Sequence, residues 1–201
     1  MDFVKNYFDK LPISRRNREI VNLPNCISLL RIGVIPILFL LLLSPGRILS
    51  LIIAFFFIVA ALTDLVDGYI ARKYDMVTTL GKFLDPVADK LIVSAAMILM
   101  IPIGRIPVWM VVVIVMRDLM VDGLRSVASA EGIVIPAGAL GKQKTICIDI
   151  AISALLIHYP LFGLNAHGVG IALMYVGVVL AVWSAVNYFR EFHRETFTNR
   201  Q

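Results

Sequence analysis

Cysteine is almost missing from this 201-residue chain: Cys26 and Cys147 stand far apart in apolar company. That excludes a disulfide framework and a thiolate metal site, and leaves both as packing residues. Histidine is equally scarce, with His158, His167 and His193 at the ends of apolar runs and without metal-ligand spacing. Charged residues make up only 16% of the chain. The opening lacks the basic, apolar, small-residue order of a cleavable signal, because the first strongly apolar run begins near Ile27. Internal repeats and low-complexity segments are lacking too. What is abundant is apolar surface: 59% hydrophobic residues and a mean hydropathy of +0.86 lie well above a soluble globular composition.

Apolar runs recur at roughly 27–43, 48–63, 83–103, 106–121, 145–164 and 168–189. They predict an all-α integral membrane protein of six transmembrane helices. Before them, Phe3, Val4, Tyr7, Phe8 and Leu11 share one helical face, which predicts an interfacial amphipathic helix. The expected organisation is a juxtamembrane segment over 1–20 and one six-helix domain over 21–201. No soluble catalytic domain remains, so chemistry falls to side chains on the helices and short loops.

Lys and Arg are unevenly placed. Lys5, Lys10, Arg15, Arg16, Arg18, Arg72, Lys73, Lys82, Lys142, Lys144, Arg190 and Arg194 fall on one side of six spans, and only Arg47 and Arg105 on the other. The richer side is expected to be cytoplasmic, in the cell (inner) membrane of a multi-pass protein, with both termini there. These charges border apolar spans, which suits anionic lipids and substrates and excludes a nucleic-acid partner. Trp109, Trp183, Tyr159 and Tyr188 are read as interfacial anchors.

Acids gather at the inner ends of spans two and three. Asp64, Asp67, Gly68 and Ala71 fall within roughly a 100° arc of one helix. Gly81, Asp85 and Asp89 follow at i, i+4 and i+8 and form a second stripe. Asp67-Gly68 also reads as a helix end, and Asp85-Pro86 as a cap and first helical residue. Those readings account for single residues and not for four aligned carboxylates beside small residues. Such carboxylates near membrane depth need cations to neutralise them. All-oxygen ligands favour two divalent ions, Mg²⁺ or Mn²⁺, an arrangement suited to phosphoryl and phosphatidyl transfer.

At these residues the chain resembles the CDP-alcohol phosphotransferase family. Its DxxDGxxAR and GxxxDxxxD signature is filled by Asp64, Asp67, Gly68, Ala71, Arg72, Gly81, Asp85 and Asp89. Within the family the chain looks most like the bacterial phosphatidylglycerophosphate synthases. This second likeness rests on Asn22-Leu23-Pro24-Asn25 with Ser28 and Arg31, Phe83 to Lys90, Arg117-Asp118, Leu124-Arg125, Gly141-Lys142 and Lys144-Thr145. It departs at Ile148, where many relatives carry a polar residue. The resemblance implies transfer of a phosphatidyl group from CDP-diacylglycerol to glycerol 3-phosphate, with release of CMP, by a homodimer. It implies metal ligation by Asp64, Asp67, Asp85 and Asp89, with Asp89 also the general base. It places the nucleotide against Asp64, Gly68, Ala71, Arg72 and Gly81.

Arg117 lies inside span four, and Arg125 sits about 80° round the same helix two turns later. Two readings stand: Arg117 pairs with Asp118 or Asp122, or Arg117, Arg125, Lys142 and Lys144 hold the acceptor's phosphate. Asp149 is unassigned. Other acceptors (phosphatidylglycerol, an inositol phosphate or serine) and, from another class, a divalent-cation transporter remain open on sequence alone.

Overall fold

The computed structural model describes residues 23–73, 79–131, 139–161 and 163–198, so the expected amphipathic segment lies outside the described residues. Within these bounds the chain forms six helices, which are α1 (Leu23–Leu42), α2 (Arg47–Lys73), α3 (Thr79–Met100), α4 (Val108–Ala130), α5 (Ala139–Ile157) and α6 (Ala166–Thr198). There are no named strands among the described residues; the nearest thing to one is a lone bridge between Leu161 and Leu164.

Each helix follows an apolar run, because a helix satisfies its own backbone hydrogen bonds where neighbours offer none. Several helices outrun their apolar cores. α2 continues to Lys73, so Asp67-Gly68 does not end it. α3 begins at Thr79, so Asp85-Pro86 lies inside a helix and does not open one. Both alternative readings of the acidic motif as helix punctuation therefore fall. Pro86 offers no N–H to the carbonyl one turn back, which loosens α3 beside Asp85.

The bundle differs in character along its length. One half holds the main core: Leu38, Phe57, Met97, Ile114, Ile152 and Met174 are all fully buried there. The other half holds Asp85, Asp89, Arg117, Asp118, Arg125 and Lys144. α5 and α6 make the most extensive pairing, then α1 with α3, α2 with α5 and α4 with α6. α5 and α6 approach closely because of glycine: a methyl group on Gly170 would sit 2.8 Å from Leu155 Cγ, and one on Gly177 2.8 Å from Ile148 Cγ1. Small residues let helix backbones meet in this way. Ile148, the departure from the family pattern, is thus a core residue filling the space beside Gly177.

At the core end, Gly104 (φ 68°) turns the chain after α3 and brings Arg105 back under the helices. Arg105 is buried and donates to the Leu156 carbonyl at 2.7 Å and to Ser50 Oγ at 2.7 Å. Burial pulls its pKa below the ordinary arginine value. Arg47 donates to the Pro160 carbonyl, and Tyr159 donates its hydroxyl to the Pro45 carbonyl. The two basic residues of the charge-poor side are therefore loop fasteners. The Nδ1 atoms of His158 and His167 lie 3.2 Å apart, so the two rings pair with each other across the turn between α5 and α6.

Among the described residues one helix, Ala166–Glu195, is both long and apolar enough to cross a membrane by composition. In α3, α4 and α5 the charges at the acidic end lower the mean hydropathy. Large apolar side chains are nevertheless exposed on all six helices, Leu40, Phe55, Ile98, Leu119, Ile150 and Trp183 among them.

Candidate active site

α3 carries the second acidic stripe. Asp85 and Asp89 are half-buried and one turn apart, and Gly81 is buried one turn earlier. A helix presents i and i+4 on one face, so both carboxylates belong to the same surface. α1 supports that surface from behind: buried Ser28 donates its hydroxyl to Asp85 Oδ1 at 2.6 Å. This bond fixes the carboxylate's rotamer and leaves Oδ2 as a further acceptor. Sequence reasoning gave Ser28 no role at the site; its place in the opening motif was the signal that could have found it.

The first stripe lies on the last turns of α2. Asp64, Asp67, Gly68, Ala71 and Arg72 are within the continuous helix Arg47–Lys73, and their side chains lie outside the described residues. Helical continuity keeps Asp64, Asp67, Gly68 and Ala71 on one arc. Among the described residues no group of three potential metal ligands converges, and the side chains of Asp64 and Asp67 lie outside that set. The donor set of Asp85 and Asp89 is all hard oxygen, which suits Mg²⁺ or Mn²⁺ better than zinc or copper.

A basic cluster bridges α4, α5 and α6 in the same half of the bundle. Arg117 is held three ways: Nη1 donates to Asp118 Oδ1 at 2.7 Å, Nε to the Ala181 carbonyl at 3.1 Å and Nη2 to Ser184 Oγ at 2.8 Å. Buried Lys144 donates to both oxygens of Asp118, at 2.8 and 3.0 Å. Two cations thus share one carboxylate, and the cluster keeps a net positive charge. Arg117 still has two unengaged N–H groups by count, since a guanidinium carries five donors. Asp122 pairs instead with Lys90 of α3. Lys142 is exposed at the start of α5.

Arg125 lies over the Tyr188 ring, 5.7 Å from its centroid. Tyr188 is buried between α4 and α6 with Val121 and Ala128, so the side chain expected to be an interfacial anchor packs within a helix seam and not on the outer surface. Its hydroxyl is the buried side-chain atom left without a hydrogen-bond partner among the described residues. The expected pairing of Arg117 with Asp118 is formed, whereas Ser184, Lys90 and Tyr188 were given no part in the site by the sequence; their pairings depend on contacts between different helices.

The sequence profile of the CDP-alcohol phosphatidyltransferase family matches residues 21–183. The chain belongs to this family. As a CDP-alcohol phosphatidyltransferase it has relatives in several bacteria. It is 45% identical to the CDP-diacylglycerol--glycerol-3-phosphate 3-phosphatidyltransferase of Bacillus subtilis (strain 168), across 84% of this chain and 93% of that enzyme. It is 33% identical to the enzyme of the same name from Rickettsia typhi, across 84% of this chain and 96% of the relative. It is 35% identical to the probable phosphatidylglycerophosphate synthase of Mycobacterium tuberculosis (strain ATCC 25618 / H37Rv), across 91% of this chain and 87% of the relative. The family match covers the acidic motif, Arg117, Arg125, Lys142 and Lys144 together.

Proposed function

We propose that this phosphatidyltransferase moves the phosphatidyl group of CDP-diacylglycerol to sn-glycerol 3-phosphate, giving phosphatidylglycerophosphate and CMP. The observation that carries the reading is full occupation of the eight signature positions in a chain whose near full-length relatives bear that enzyme's name.

Asp64, Asp67, Asp85 and Asp89 would hold two divalent cations, which when bound supply charge stabilisation to the pyrophosphate and its leaving phosphate. The chain's own groups do the rest. Ser28 holds the Asp85 carboxylate in one orientation, the kind of outer support that ligand carboxylates use. Gly68, Ala71 and Gly81 admit the nucleotide close to the backbone because a missing or minimal side chain leaves room. Arg72 presents a planar fork to phosphate oxygens. The acceptor's hydroxyl oxygen forms a bond to the phosphorus that bears diacylglycerol, while the bond from that phosphorus to the CMP oxygen breaks. Asp89 takes the hydroxyl proton. Arg117, Arg125, Lys142 and Lys144 hold the acceptor's phosphate, a task that an uncharged alcohol would not require.

The bilayer is the setting. All six helices expose large apolar side chains, and a belt of this kind matches lipid better than water. The helices span 19 to 33 residues, long enough to cross about 30 Å of hydrocarbon at 1.5 Å per residue. The acidic half faces the cytoplasm, on the side rich in Lys and Arg, and the working unit is a homodimer.

Replacing Asp64, Asp67 or Asp85 with Asn tests the assignment. Each variant should lose CMP release while keeping the wild-type elution profile in detergent. Near-normal turnover in any of them, at saturating Mg²⁺ or Mn²⁺, would remove that residue from the ligand set.

A further inference from the structure

Between α4 and α6 runs a groove of about 810 Å³. Its walls are apolar stripes of matching period: Val112, Met116 and Met120 on α4, and Val182, Val186 and Phe189 on α6. All six are exposed. At one end the character changes abruptly, because Arg190 and His193 close the groove on the side of the acidic half. The groove lies between two helices neither of which carries an acidic stripe of the motif. α2 packs chiefly against α1 and α5, while α4 packs against α6 and α3.

We propose that this groove binds an anionic phospholipid of the surrounding bilayer, distinct from the donor lipid, with one acyl chain along the apolar stripes and its phosphate against Arg190 and His193. Two observations favour this occupant. The first is the order of chemistry along the groove: walls that are apolar apart from Arg117, then a basic end, complement an amphiphile with an anionic head. Basic pockets between membrane helices on the cytoplasmic side take anionic headgroups for this reason. The second is depth. At 1.5 Å per residue, Arg190 lies about 36 Å along α6 from Ala166, beyond the roughly 30 Å hydrocarbon layer and at headgroup level. Arg117 lines the same groove, so an acyl chain there would also shield the Arg117–Asp118–Lys144 cluster from the bilayer side.

The proposal rests on the helices being embedded in lipid, and its test separates the two. The full-length chain in detergent is offered phosphatidylglycerol and phosphatidylcholine in equal amounts, without donor or acceptor, and retained lipid is counted by native mass spectrometry. The wild type should retain phosphatidylglycerol preferentially. Combining Arg190→Gln with His193→Gln should reduce that preference about fivefold, the factor one basic residue contributes at an anionic surface. Val186→Trp should fill the groove and lower retention of both lipids. CMP release by each variant reports that the chain remains folded. Unchanged preference in the first variant, or unchanged retention in the second, would overturn the proposal. Loss of a dimer with Val186→Trp while lipid retention stays constant would overturn it as well, and would make the groove an interface between copies. A wild-type chain that stays dispersed without detergent would instead overturn the membrane reading beneath it.

Discussion

Asp118 gathers Arg117 and Lys144 onto one carboxylate, and this arrangement joins the two readings that the sequence left apart. Arg117 is anchored by Asp118, Ser184 and the Ala181 carbonyl. An anchored guanidinium loses little further freedom when it receives a phosphate. Arg117→Ala would leave Asp118 to Lys144 alone and free a carbonyl and a hydroxyl, so it should lower stability by about 1–3 kcal/mol. Exposed Lys142 makes the cleaner test. Lys142→Ala should leave the Tm unchanged and raise the glycerol 3-phosphate KM tenfold or more, with CDP-diacylglycerol affinity nearly constant. Unchanged acceptor kinetics in both variants would sink the phosphate-pocket assignment. At this scale the helical placement of the acidic motif was legible, because its spacing is set within single helices. Asp118 was legible as a partner of Arg117; Ser28, Ser184 and the Lys144–Asp118 pair were not, because each acts across a contact of at least 26 residues' separation.

Helix boundaries show where apolar runs mislead. The runs predict second and sixth spans ending near residues 63 and 189, yet α2 reaches Lys73 and α6 reaches Thr198. A polar residue ends an apolar stretch without ending a helix, since the backbone bonds continue and the charged side chains reach polar surroundings. The functional consequence is direct: the acidic stripe of α2 lies in that extension. Packing of α5 on α6 was hidden for a different reason, since a glycine's value at a helix crossing depends on what faces it. Gly170 faces Leu155, whose backbone N would lie 3.0 Å from an added methyl group. Gly170→Ala should therefore cost about 1–3 kcal/mol through overpacking, read as a lower Tm in detergent with little change in substrate KM. A stable Gly170→Ala protein would mean that the α5–α6 crossing is looser than described.

Across the whole molecule, an apolar core fills one half of the bundle and paired charges occupy the other. Hydropathy foresaw six helices, and six are formed among the described residues. It could not foresee that Arg47 and Arg105 would be drawn into loop contacts, although their scarcity on that side still argues orientation. Cysteines placed near Gly46 and Asn165 should react with an impermeant thiol reagent on intact cells, and cysteines near Tyr74 and Ala139 should not. The reverse pattern would overturn the orientation. The central claim concerns the acceptor, and one assay addresses it: purified chain with CDP-diacylglycerol and a divalent cation, supplied in turn with glycerol 3-phosphate, phosphatidylglycerol, an inositol phosphate and serine, with CMP and lipid product both measured. CMP release should depend on glycerol 3-phosphate and be matched mole for mole by phosphatidylglycerophosphate; release supported equally well by another acceptor, or no release with any, would contradict the account.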